Sequence, residues 1–140
     1  MTGYRSKFLR HECARSGCYI DKLPCWDDLI TMFPRSIRPM DVDGMVEING
    51  HFLFLEEKQA GKGLESGQGA ALRMLSRIPG VTVTVFRPGA NTDLEVLVLD
   101  GGVPSGFTGV SRTQFFSWCR VWAQEADANP IARPVIRSTA

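Results

Sequence analysis

The chain has 140 residues, enough for one domain, and its 44% apolar and 22% charged content is ordinary for a protein that buries a core in water. No apolar run approaches the ~20 residues that span a bilayer. Residues 1–10 are polar and basic and lack the apolar stretch of a leader, so the expectation is a cytoplasmic, intracellular protein with no membrane partner. A net charge of +1 excludes a globally basic nucleic-acid binder, so phosphate recognition would have to rest on a local patch.

Residues 1–24 show no periodicity and read as an N-terminal extension to a single domain. Cys25 to Phe33 places Trp26, Leu29, Ile30 and Phe33 at helical spacing, and Pro34 ends that helix. Met45–Ile48 is strand-like. Asn49-Gly50 is the favoured dipeptide of a two-residue type I′ hairpin turn, and His51 to Lys58 continues as a second, strongly apolar strand. Gln59 to Ser66 is a Gly-rich loop. A helix from Ser66 or Gly67 to about Ile78 then buries Ala70, Ala71, Leu72, Met74, Leu75 and Ile78. Pro79-Gly80 stops it. Val81–Phe86 and Leu94–Leu99 are strands, and Gly101 to Gly109 is a loop. Ser111 caps a helix from about Arg112 to Glu125, with Phe115, Phe116, Trp118, Cys119 and Trp122 inward. Residues 127–140 read as a tail. The order helix, hairpin, helix, strand, strand, helix implies an α/β fold with a mixed sheet flanked by helices.

The hairpin carries the chemistry. Side chains alternate along a strand, so Glu56 and Lys58 share a face and Glu57 points away. A charge at the end of so apolar a strand needs a partner or a metal. The Asn49-Gly50 turn pairs residue 48 with 51, which sets Asp43 opposite residue 56 by register alone. Two carboxylates at a sheet end suit Mg²⁺ (or Mn²⁺), a hard cation that takes oxygen ligands and keeps waters. Such an ion activates water and polarises a phosphoryl oxygen. Lys58 on the same face can orient the water or offset charge developing on phosphate. Asp43, Glu56 and Lys58 are thus the parts needed to hydrolyse a phosphodiester. Arg35, Arg38 and Lys62 are the candidate nucleic-acid-binding patch.

The pattern of Asp43 followed by Glu56-Glu57-Lys58 resembles the signature of the PD-(D/E)XK nuclease superfamily. The stretch PRSIRPMDVDGMVEINGHFLFLEEK, followed by SGQGAALRML, is similar to small phage-type members over roughly residues 26–90. The resemblance implies a restriction-endonuclease-like fold, Mg²⁺-dependent cleavage of nucleic acid, more specifically DNA, and a site role for Gln68 at the start of the following helix. Two elements depart from the pattern. Leu72 stands where some branches carry an aromatic residue, and no Pro-Asp dipeptide is present, which leaves Asp41 beside Asp43 as the leading acid; register favours Asp43. The alternative function is a non-catalytic nucleic-acid-binding or protein-interaction module that keeps the nuclease fold. The reading leaves room for a homodimer.

His11, Cys13, Cys18 and Cys25 form an H-x-C-x₄-C-x₆-C run, four residues of the types that hold structural Zn²⁺. The spacing lacks the tight C-x₂-C knuckle, which favours incidental thiols over a zinc knot. His51 is expected at the surface. The glycines of GKGLESGQG lack the ending of a complete phosphate-binding loop.

Overall fold

The computed structural model describes residues 32–37, 40, 42–64 and 66–132. The chain divides into two compact units, Met1–Pro39 and Met40–Ala140. Within the first unit the described residues form a 3-10 turn at Pro34–Ser36. Phe33 before it is extended, at φ −102° and ψ 140°, so the helix expected over 25–33 does not include Phe33. The pyrrolidine ring of Pro34 disfavours helical backbone at the residue before it. Met32 lies in a turn rather than a helix; residues 25–31, like His11, Cys13 and Cys18, lie outside the described residues, Cys25 among them.

Among its described residues the second unit is a six-stranded mixed sheet with two helices. In chain order its elements are β1 (Gly44–Ile48), β2 (His51–Glu57), α1 (Ser66–Leu75), β3 (Val81–Pro88), β4 (Leu94–Asp100), β5 (Val103–Pro104), β6 (Thr108–Val110) and α2 (Arg112–Ala128). The sheet order is β1-β2-β3-β4-β5, with β6 also paired to β4. β1 and β2 form the antiparallel hairpin, with Asn49 at φ 50° and Gly50 at φ 87°, as a type I′ turn requires. β2 and β3 run parallel, and α1 supplies the crossover between them. The segment expected as loop from Gly101 to Gly109 instead contributes β5 and part of β6, short strands that pair with β4.

The core fills the space between α1 and one sheet face: Leu72 packs with Val81, Val83, Val85, Leu97 and Leu99, and Phe52 and Phe54 join from β2. α2 lies on the other face, where the Phe115 ring sits 5.4 Å from that of Phe86. Ser111 caps α2 through a capping box with Gln114.

Two helix expectations need correction. α1 ends at Leu75 rather than near Ile78, and Ala70, Met74 and Ile78 are exposed. Past Leu75 the amides of Arg77 and Ile78 bond three residues back, to Met74 and Leu75, which is the tightened geometry of a closing turn. Ser76 is buried there, its carbonyl accepting from Gly101 N and its hydroxyl from Gly102 N. In α2, Phe115 is buried and Trp118, Cys119 and Trp122 are half-buried, but Phe116 is exposed. It lies a third of a turn off the inward stripe, which continues to Ala126 instead. Among the described residues no helix is long and apolar enough to cross a membrane.

Candidate active site at the end of the hairpin

The site is built where β2 leaves the sheet. Glu56 follows Phe52 and Phe54 on the face covered by α1, which buries it to 5% exposure beside fully buried Val85. A carboxylate so placed is costly unless donors reach it. Two do. Lys58, two residues on and thus on the same face, donates from Nζ to Glu56 Oε1 at 2.9 Å. Gln68, in the first turn of α1, donates from Nε2 to the same oxygen at 2.8 Å. Lys58 Nζ also donates to Gln68 Oε1, which closes a triangle of three side chains from two elements. Both bonds to Glu56 fall on Oε1; Oε2 is buried and has no hydrogen-bond partner among the described residues.

Asp43 comes to this triangle through the hairpin. The ladder pairs Gly44 with Leu55, so Asp43 faces Glu56 one step further. Asp43 Oδ2 accepts from the backbone amide of Glu57 at 2.7 Å. This carboxylate stands in for the main-chain acceptor that a longer β1 would offer, and so ends the strand. Asp43, Glu57, Lys58, Gln59, Ala60 and Pro88 line an open groove of about 470 Å³. The Glu57 side chain is exposed, as the alternation from Glu56 demands.

Asp43, Glu56, Lys58 and Gln68 are therefore brought to one strand end. Leu72, one turn after Gln68, is 2% exposed and belongs to the core. Of the basic patch, Lys62 is exposed on the loop after β2, Arg35 belongs to the first unit, and Arg38, like Asp41, lies outside the described residues. His51 is half-buried rather than at the surface, with Nε2 2.7 Å from the carbonyl oxygen of Asn129. It borders a second cavity of about 560 Å³ between α2 and the sheet, at the other end of β2.

Sequence reasoning missed Arg87. Extending the β2–β3 register by one step sets it beside Lys58, and Lys58 N donates to Phe86 O at 2.8 Å. Its guanidinium bonds Glu95 and the carbonyl of Lys62 and covers the Phe107 ring. An isolated Arg at the end of a β-branched strand carries no signal that would single it out.

The fit of a hard divalent cation can be judged on Glu56 Oε2. A buried carboxylate oxygen without a donor is a position that a cation would satisfy, and Asp43 stands across the ladder from it. Among the described residues no three His, Cys, Asp or Glu side chains gather into a metal-binding group. Two carboxylates with water fit Mg²⁺, which binds through one or two carboxylates and keeps much of its hydration, better than an ion that needs a full protein cage. Set against protein-family models, curated proteins and solved structures, the chain matches none.

Proposed function

We propose that the protein is a metal-dependent nuclease of the restriction-endonuclease-like kind, acting on DNA. The observation that carries this reading is the Glu56 carboxylate: buried, tied by Lys58 and Gln68 through one oxygen, left without a donor on the other, and in register with Asp43. Asp43 and Glu56 would hold Mg²⁺ or Mn²⁺, which when bound supplies Lewis-acid activation of water and of the phosphoryl group. Gln68 fixes Glu56 and Lys58 relative to each other, so that neither has to reorganise during the reaction. Lys58 uses two of its three N–H donors on these partners. The third is available to a phosphate oxygen in the groove that Lys58 lines, where it offsets negative charge as the phosphodiester is attacked.

A cleavage assay on labelled single-stranded, duplex, flap and junction DNA and on RNA, with Mg²⁺, Mn²⁺ or EDTA, tests the proposal. Cleavage of DNA that requires the cation and disappears in Asp43→Asn is expected. Binding without cleavage across the panel, insensitive to EDTA, would favour a module that keeps the fold without the chemistry.

A further inference from the structure

Arg87 makes three contacts at once. Nη1 donates to the carbonyl oxygen of Lys62 at 2.7 Å, Nε donates to Glu95 Oε2 at 2.6 Å, and Cζ lies 3.8 Å from the centre of the Phe107 ring. Phe107 is itself packed against the core, so the guanidinium rests on a fixed surface. The loop it holds begins directly after Lys58. Lys62 N donates to Gln59 O at 3.0 Å and Gly61 has φ +73°, the positive φ that a type II turn requires at its third residue. Gln59 and Ala60 of this turn form one wall of the groove, and Pro88, next to Arg87 in the chain, forms another. The side chain of Arg87 therefore ties one wall to the strand that carries the other.

We propose that Arg87 is a positioning residue for substrate binding: by holding the Lys62 carbonyl it fixes the Gln59–Lys62 turn, so that the Lys62 ammonium meets a backbone phosphate next to the one being cut. This rests on the nuclease reading and adds a binding subsite to it. Lysine cannot substitute. It can keep the ion pair with Glu95, but it has no planar fork to bond Lys62 O and Glu95 together while stacking on Phe107. Net charge alone therefore predicts a neutral Arg87→Lys change, whereas positioning predicts a damaging one.

The experiment pairs hydrogen exchange with kinetics on the DNA that the wild-type protein cleaves. In Arg87→Lys, amides of residues 60–64 should exchange about tenfold faster while those of β3 and β4 are unchanged. KM should rise about tenfold with kcat within about threefold of wild type. In a Lys62→Ala background the same change should alter KM by less than about twofold, because the contact that Arg87 positions is already gone. Phe107→Leu, which removes the aromatic ring beneath the guanidinium and keeps an aliphatic side chain against the core, should move KM in the same direction by a smaller factor and covers the case of an Arg87→Lys protein that does not fold. Unchanged exchange in the loop, or a fall in kcat at constant KM, would overturn the proposal. A wild-type protein inert on every nucleic acid would remove the nuclease reading, and with it the subsite, while the exchange data would still decide whether Arg87 holds the loop.

Discussion

Lys58→Met is the sharpest probe of the strand end, because it keeps the aliphatic stem and removes only the ammonium. Glu56 would retain one donor, Gln68 Nε2, on a carboxylate that is 5% exposed. Removing one partner of a buried ion pair costs about 3–5 kcal/mol in general. Here 21% of the Lys58 side chain reaches solvent, so water can enter the vacated space, and Gln68 keeps its bond; the expected loss is about 2–3 kcal/mol. With a urea dependence of about 1–3 kcal/mol per M, the unfolding midpoint should fall by about 0.7–3 M at unchanged slope. Combining Glu56→Gln with Lys58→Met should restore most of that stability, giving a coupling of about 2 kcal/mol. Turnover should fall by about 10²-fold or more with little change in KM, as for a lost electrostatic stabiliser, while Glu57→Ala stays nearly active. A Lys58→Met protein within about 0.5 kcal/mol of wild type, additive with Glu56→Gln, would show that the ion pair does not form. Loss of cleavage in Glu57→Ala but not in Lys58→Met would mean that the strand register is wrong by one residue.

The other predictions address the neighbouring elements. Asp43→Asn keeps an amide oxygen that can accept from Glu57 N, so stability in the absence of cation should change by less than about 1 kcal/mol, whereas the rise in melting temperature that Mn²⁺ gives the wild-type protein should vanish; a full Mn²⁺ response in Asp43→Asn would exclude this residue as a ligand. Gly50→Ala forces a side chain onto φ +87° and brings its Cβ to 3.0 Å from Ile131 Cβ, so thermal unfolding should show a loss of about 1–3 kcal/mol. Burial pushes the Cys119 thiol above its ordinary value, against a smaller opposing backbone hydrogen bond. Peptide-mapped alkylation of Cys119 at mildly alkaline pH should therefore be slower in the folded protein than in urea. Because the unfolded thiol ionises first as pH rises, this group lowers stability above the unfolded value of 9.0.

The fold was legible where local chemistry fixes geometry. Asn49-Gly50 dictates a turn type, the turn dictates the pairing of Ile48 with His51, and the ladder to Gly44 and Leu55 follows without further information. Ser111 likewise announced the start of α2, and in the folded chain Gln114 completes its capping box. What the sequence concealed were boundaries and faces decided by tertiary contact. α1 stops where Ser76 is captured by the Gly101-Gly102 turn, a contact 26 residues away for its hydroxyl. Phe116 is as apolar as Phe115, and only the direction of the α2 axis over the sheet decides which of the two is buried. β5 and β6 are too short to carry a period, and the outer edge of β4 defines them.

The same distinction runs through the site itself. Lys58 and Arg87 stand side by side on neighbouring strands, yet Lys58 could be assigned to a face with Glu56 from two residues of spacing, and Arg87 could not be assigned at all. A hairpin transmits register through its turn; a parallel pair joined by a helix transmits none, since the crossover fixes neither the pairing nor its offset. The partners of Arg87 are accordingly scattered, 8 residues away for Glu95 and 25 for Lys62. The residues expected to perform chemistry lie on the locally determined hairpin, with Gln68 on the helix that follows. The residue proposed to hold the substrate wall lies on the strand that only the folded sheet brings alongside. In a sheet of this kind, then, a short acidic and basic motif can be found by alternation, whereas the cation that shapes the groove beside it becomes visible only once the parallel register is known.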